Sequence, residues 1–96
     1  MQEAPKTTRR LTIKMGPADD VAMALAALGA GSRVEVESPG KNETEHVVLV
    51  EDIPLGHKFA LRDIRKDQKV VKFGMEIGTA LRDIPQGAWV GEHNLE

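Results

Sequence analysis

The chain has 96 residues, of which 41% are hydrophobic, 29% charged and 3% aromatic, a composition typical of one soluble domain with a small aliphatic core. Its formal net charge is −2, with 13 basic residues scattered among 15 acidic ones, which argues against a nucleic-acid partner. It has no cysteine and no apolar run of about 20 residues, which excludes a disulfide framework and a membrane span and favours a cytoplasmic protein.

The N-terminal region contains basic residues without the apolar stretch that a signal peptide needs. We expect residues 1–10 to form a flexible segment and residues 11–96 to form a single domain. Residues 11–14 alternate apolar and polar side chains, which is the pattern of a half-buried strand. The sheet is therefore expected to begin there.

A short helix is predicted after the first strand. Asp19 or Asp20 can cap its first turn, and Gly29 or Gly31 can end it. Apolar residues recur between these limits at helical spacing: Val21, Leu25 and Leu28. The alanines of this segment would let the helix pack closely against a sheet.

The rest of the chain is expected to consist of strands and turns. Residues 33–37 and 46–50 flank a polar loop, which predicts a hairpin. Four later strands are predicted, at 58–61, 69–73, 77–81 and 89–90. Gly74 and Gly78 mark sharp bends or a bulge among them.

A phrase that begins with Asp-Ile occurs three times in the second half of the chain. Its copies start at Asp52, Asp63 and Asp83, and their turns close at Gly56, Asp67 and Gly87. Proline suits the start of a type I turn, and aspartate tolerates the left-handed conformation that glycine adopts freely. The unequal steps between the copies exclude a stacked solenoid. These rigid corners predict a compact, strongly bent β fold.

Several longer sequence motifs resemble those of one known family. They are residues 56–61 (Gly-His-Lys-Phe-Ala-Leu), residues 71–80, residues 83–87 and the closing His93-Asn94, with residues 19–25 similar to the family's early helix. In these words the chain resembles the SAF-type β-clip domain of the altronate and galactarate dehydratase family, and the small subunit of sulfolactate lyase is similar. The resemblance implies a mostly β fold of the α+β class, a β-clip with one short helix.

The resemblance also implies that the chain is the small component of a sugar-acid hydro-lyase. A larger catalytic part, on the same chain or as a separate subunit, would dehydrate the sugar acid with iron or another divalent metal. This chain would bind no cofactor alone and would not be catalytic by itself. Family members often have a histidine two residues before the position of His93, where this chain has Gly91. No role is therefore assigned that would need histidines at both positions 91 and 93.

Two histidines are the candidate catalytic residues. Removing a proton next to a carboxylate requires a base that works near neutral pH, and an imidazole suits that task. His57 directly follows a tight corner, and the resemblance places His93 against the catalytic part. The plain alternative is that His57 is an ordinary surface residue. Two histidines without a third ligand make a poor metal site, so no metal ligand is predicted.

The candidate substrate-binding residues are Lys58, Lys72 and Asn94. A lysine can meet a substrate carboxylate as a point charge. Adjacent strand residues point to opposite faces, so only one of His57 and Lys58 is expected to reach a given site. The same alternation predicts that Phe73 points inward and Lys72 outward. Lys72 is explained equally well as an ordinary solvent-exposed lysine that contacts no substrate.

Two other function classes remain open at this point. One is a stand-alone carbohydrate- or carboxylate-binding module that uses the face of His57, Lys58 and Lys72. The other is a structural domain whose edge strands pair with another chain. The single tryptophan, Trp89, is interpreted as a core residue.

Overall fold

The computed structural model describes residues 10–96, which form eight β-strands and no helix. The strands are β1 Thr12–Ile13, β2 Val21–Ala24, β3 Arg33–Glu37, β4 Thr44–Val48, β5 Lys58–Ala60, β6 Lys69–Lys72, β7 Met75–Thr79 and β8 Trp89–Val90. Nothing in residues 10–96 is a helix of the length and apolar character needed to cross a membrane. The prediction of a mostly β fold is confirmed. The flexible segment predicted at 1–10 lies outside the described residues, except for Arg10.

An antiparallel sheet of four strands holds the centre of the fold, in the order β1-β2-β5-β8. The remaining strands form two separate hairpins, β3–β4 and β6–β7. In the central sheet, Phe59 of β5 pairs with Ala22 of β2 on one edge and with Trp89 of β8 on the other. This register brings the start of β5 next to β8, and the candidate site depends on that arrangement.

The helix predicted for residues 21–28 is wrong, because this segment is strand β2 followed by an extended connection. The carboxylates expected to cap it bind a distant part of the backbone instead. Val71 N donates a hydrogen bond to Asp20 Oδ2 at 2.8 Å, and Gly74 N donates one to Asp19 Oδ1 at 3.3 Å. Strand β2 is paired on both edges and nearly buried, so its small apolar residues pack on both faces of a sheet rather than on one face of a helix.

The central sheet separates two buried apolar clusters. Alternation along β5 directs Phe59 into the first cluster and Ala60 into the second. The first cluster contains Ala22, Ala24, Leu28, Val34, Val36, Val47, Leu49, Ile53, Phe59 and Leu61. The second contains Val21, Ala60, Ile64, Val70, Ala80, Ile84, Ala88 and Val90. Hairpin β3–β4 therefore contributes to one face of the core and hairpin β6–β7 to the other.

Each hairpin is also attached to the central sheet by polar side chains from residues 12–20. Lys14 Nζ donates a hydrogen bond to Glu45 Oε2 of hairpin β3–β4 at 2.7 Å. The side chain of Lys14 is only 3% exposed, so this ion pair offsets part of the cost of burying its charge. Asp19 and Asp20 make the corresponding attachments to hairpin β6–β7.

The three predicted corners are present, and the structure adds a fourth at residues 28–32. The residue that closes each turn has a positive φ: Gly31 (85°), Gly56 (82°), Asp67 (72°) and Gly87 (86°). Each corner begins with a buried aliphatic residue: Leu28, Ile53, Ile64 and Ile84. Leu28 pairs with Ile53, and Ile64 pairs with Ile84, through reciprocal backbone hydrogen bonds. The left-handed conformation predicted for Asp67 is confirmed.

The four corners divide residues 21–90 into two copies of one path, which runs strand, corner, hairpin, corner, strand. Strand β5 ends the first copy and begins the second. The same backbone contacts recur in both copies: Gly56 N donates to Ala24 O at 2.8 Å, and Gly87 N donates to Ala60 O at 2.9 Å. The repeated phrase therefore marks a structural duplication. The sequence shows only three phrases because the first corner lacks Asp-Ile.

Candidate functional site

His57 and His93 both contact Trp89. The ring centroids of His57 and Trp89 are 5.1 Å apart with an interplanar angle of 82°, and those of Trp89 and His93 are 5.1 Å apart with an angle of 62°. Both histidines are exposed, whereas Trp89 is half-buried. We call these three residues the histidine–tryptophan rim. Two imidazoles from distant parts of the sequence therefore contact the same indole.

The corner before β5 determines where His57 lies. His57 follows Gly56, whose positive φ of 82° closes the turn, and His57 N donates a hydrogen bond to Pro54 O at 3.1 Å. Because side chains alternate along an extended chain, His57 is on the same face as Phe59. Phe59 pairs with Trp89 across the sheet, so the register of β5 and β8 brings the imidazole to the indole.

A turn at the end of β8 determines where His93 lies. Asn94 is 6% exposed, and its side chain fixes this turn: Gly91 N donates to Asn94 Oδ1 at 2.9 Å, and Asn94 Nδ2 donates to Trp89 O at 2.8 Å. The guanidinium of Arg82 donates a hydrogen bond to His93 O. Asn94, expected to bind substrate, thus lies in the interior with both amide atoms bonded to backbone.

Glycine at position 91 allows the indole and the second imidazole to approach each other. A Cβ at this position would lie 3.2 Å from Trp89 Nε1 and 3.3 Å from His93 Nδ1, so any larger residue would crowd both rings. The indole Nε1 is buried and has no hydrogen-bond acceptor among residues 10–96. This chain has Gly91 where family members often have histidine, and the glycine leaves room for His93 to pack closely on Trp89.

The two candidate lysines lie away from the rim. Lys58 pairs with Met23 and Val90 and, by alternation, points to the face opposite His57. Lys72 ends β6, in a different sheet, where it pairs with Met75. The structure therefore brings together the two histidines and neither lysine.

Two residues near the candidate site were not identified from the sequence. Trp89 was interpreted as a core residue; it does pack against the first apolar cluster, but it also joins the two histidines. Arg82 was assigned no role from the sequence. The segment Ala-Leu-Arg-Asp-Ile occurs twice, at residues 60–64 and 80–84, and this repetition was the available signal for its arginines. Arg62, the other arginine of that repeat, donates instead to Asp19 O at 2.7 Å.

The rim does not form a metal site by itself. Within residues 10–96 there is no group of three or more His, Cys, Asp or Glu side chains placed to hold a metal ion. Two imidazoles and an indole offer too few ligands for a divalent cation. An imidazole can take part in proton transfer without a metal ion.

Comparison with known families identifies the fold. The model of the altronate/galactarate dehydratase SAF domain matches residues 10–96. The chain belongs to this SAF domain family. The resemblance inferred from the words of the sequence is confirmed, and the bent, mostly β architecture fits the β-clip expected for it.

The curated relatives of this SAF domain include enzymes that are much longer. It is 48% identical to altronate dehydratase of Escherichia coli over 82 residues, which are 85% of this chain and 15% of that protein. It is 35% identical to galactarate dehydratase (L-threo-forming) of the same organism over 89 residues, 91% of this chain and again 15% of the relative. It is 43% identical to (2R)-sulfolactate sulfo-lyase subunit alpha of Chromohalobacter salexigens over 44 residues, 46% of this chain and 47% of that subunit. The SAF domain thus spans a small fraction of the dehydratases that it matches.

Proposed function

We propose that this SAF domain is the small component of a sugar-acid hydro-lyase and that it completes the active site of a larger, metal-dependent catalytic part. The convergence of two exposed imidazoles, His57 and His93, on one indole is the observation that carries the proposal. The family of the domain and its 48% identity to an altronate dehydratase support the choice of reaction. A cytoplasmic location also belongs to the proposal, supported by the lack of cysteine.

Dehydration of a sugar acid needs two proton transfers at neighbouring carbons. A base removes the proton from the carbon next to the carboxylate, and an acid protonates the hydroxyl on the following carbon, which leaves as water. The enol that results becomes a 2-keto-3-deoxy acid. We assign these two transfers to the rim histidines, because both imidazoles are exposed and both contact the same indole.

The remaining parts of the active site are assigned to the larger component. A metal ion bound there would hold and polarise the substrate carboxylate. Lys58 lies on the face opposite His57, so a cation that binds the anionic substrate beside the rim also has to come from the larger part. The rim therefore supports catalysis only when a second surface covers it.

Asn94 and Arg82 receive positioning roles in this proposal. Both hold the turn that carries His93, Asn94 through Gly91 N and Trp89 O, and Arg82 through the carbonyl of His93. Neither group is assigned a contact with substrate. Lys72 stays a candidate for contact with the substrate or with the larger part, since it lies at the end of an exposed hairpin.

Reconstitution tests the proposal. The larger, dehydratase-like catalytic part is expressed as a separate large polypeptide, and activity on altronate and galactarate is measured for the SAF domain alone, for that polypeptide alone and for the mixture. Only the mixture is expected to produce a 2-keto-3-deoxy acid. Turnover by the isolated SAF domain with added iron would contradict the division of roles.

Titration calorimetry on the isolated domain separates the proposal from its rival. A stand-alone binding module would bind galactarate or altronate without a partner, whereas the proposed small component is expected to give no measurable heat. Binding in the micromolar range by the isolated domain would favour the module.

A further inference from the structure

The hairpin β6–β7 exposes three large apolar side chains at and next to its tip. Phe73 is 65% exposed, Met75 67% and Ile77 37%. The prediction that Phe73 points inward is therefore wrong. Phe73 is one of only two phenylalanines in the chain, and the other, Phe59, is fully buried in the core. A cluster of this kind on a small domain marks an interaction surface.

Phe73 also occupies a backbone conformation that does not suit it. It has a φ of 53° and is followed by Gly74 with a φ of 72°, so both residues between the paired Lys72 and Met75 are left-handed. Two-residue turns of this kind favour Asn-Gly, whereas a bulky aromatic residue in this region is strained. The side chain of Asp19 holds the turn in place by accepting a hydrogen bond from Gly74 N at 3.3 Å. Local stability does not explain a phenylalanine here.

The backbone of β7 has a free edge beside this apolar cluster. On the side away from β6, Thr79 exchanges two backbone hydrogen bonds of 3.0 Å with Glu96, and Ala80 forms a bridge with Leu95. Within residues 10–96, the backbone of residues 75–78 makes no hydrogen bond on that side. A strand aligned with residues 95–96 would extend this antiparallel ladder along β7 toward Met75.

We infer that the tip and free edge of hairpin β6–β7 are the surface by which the SAF domain docks on its larger catalytic part. In this arrangement an extended strand of the larger part pairs with residues 75–78, and an apolar pocket takes up Phe73 and Met75. The inference rests on the proposed function. The matched segment is only 15% of the E. coli dehydratases, so most of such a polypeptide lies outside it and has to meet its surface. A strand that runs in the same direction as residues 95–96 would pair antiparallel with β7.

The substitution Phe73→Asn tests the docking surface, because it separates stability from binding. Asn-Gly relieves the left-handed strain, so the melting temperature is expected to stay the same or rise. The affinity for the large dehydratase-like polypeptide is expected to fall about tenfold or more, since the aromatic anchor is lost. Val48→Thr is the matched control: it removes an exposed apolar group, 54% exposed, from hairpin β3–β4 and is expected to leave the affinity unchanged. Amide exchange at residues 75–78 is expected to slow when the complex forms.

The outcomes distinguish the docking surface from the proposed function. If the wild-type domain binds the large polypeptide and Phe73→Asn binds equally well, the docking surface is wrong and the function stands. If the wild-type domain does not bind it at all, both are wrong. If Phe73→Asn abolishes self-association in sedimentation experiments without affecting the large polypeptide, the occupant of the surface is a second copy of this chain, which also overturns the inference.

Discussion

The aspartate that opens each repeated phrase locks one corner to another. Gln86 N donates a hydrogen bond to Asp63 Oδ1 at 2.9 Å, and Lys66 N donates one to Asp83 Oδ1 at 2.8 Å. Each carboxylate therefore reaches across to the corner with which its own corner pairs, and Asp52 does the same for the corner at residues 28–32. The backbone N–H groups of a tight turn need such acceptors. The phrase thus has a structural role, not a catalytic one.

The corner at residues 28–32 lacks this aspartate, and that absence leads to a prediction about stability. Ala27 occupies the position before Leu28, and Leu55 N, which such a carboxylate would face, donates no hydrogen bond within residues 10–96. The substitution Ala27→Asp is expected to raise the free energy of unfolding by about 1 kcal/mol, the usual gain from a carboxylate that caps a backbone N–H. Urea denaturation measures it, with Asn42→Asp in the exposed loop of hairpin β3–β4 as the control for added charge. A variant no more stable than this control would contradict the account of the corners.

At the residue scale, the candidate site could be predicted only in part. His57 was identified because it follows a rigid turn, and His93 because it belongs to a motif that resembles the family. Their convergence on Trp89 depends on the register of β5 with β8, which local patterns do not reveal. The interior position of Asn94 was also hidden, since it depends on how the last turn packs. Their roles in catalysis stay predictions.

At the scale of elements, the attachment of the hairpins explains both the correct and the wrong predictions. Alternating segments such as β3 were identified because one face of each is buried. The helix was predicted because Asp19 and Asp20 resemble caps, and a carboxylate does satisfy a backbone N–H here. Two of the donors, however, are Val71 and Gly74, more than fifty residues away in the sequence. A local pattern contains no information about such a partner.

The attachment of hairpin β6–β7 through the Asp19 carboxylate leads to a second stability prediction. Asp19 is fully buried, and its carboxylate accepts hydrogen bonds from Gly16 N at 2.9 Å and Gly74 N at 3.3 Å. In Asp19→Asn an amide group would face one of these donors, so the free energy of unfolding is expected to fall by about 1–3 kcal/mol. Chemical denaturation measures the loss, and amide exchange at Gly74 is expected to become faster.

Asp67→Asn is the matched control for this substitution. Asp67 is exposed and has a φ of 72°, a conformation that asparagine adopts as readily, so its stability is expected to change little. Equal stability of the two variants would show that the buried carboxylate does not hold the hairpin.

At the scale of the whole molecule, the duplicated path provides the scaffold, and the candidate site combines a corner of the first copy with the last strand of the second. The residue that follows the left-handed position differs among the four corners: Ser32, His57, Gln68 and Ala88. Only the second of them is a histidine, and only its corner leads into the strand that pairs with Trp89. The other corners demonstrate that the same backbone accepts glutamine or alanine at this position. Substitutions at His57 can therefore test function without disturbing the fold.

The most direct test of the central claim is the dehydration rate of the reconstituted complex when its SAF domain carries His57→Gln. Gln68 occupies the equivalent position in another corner, so the variant is expected to fold and to bind the large polypeptide as the wild type does. Its kcat on altronate or galactarate is expected to fall about 100-fold or more, the loss typical of removing a general acid or base. A wild-type kcat from a complex that contains stoichiometric His57→Gln domain would contradict the claim that this rim takes part in catalysis.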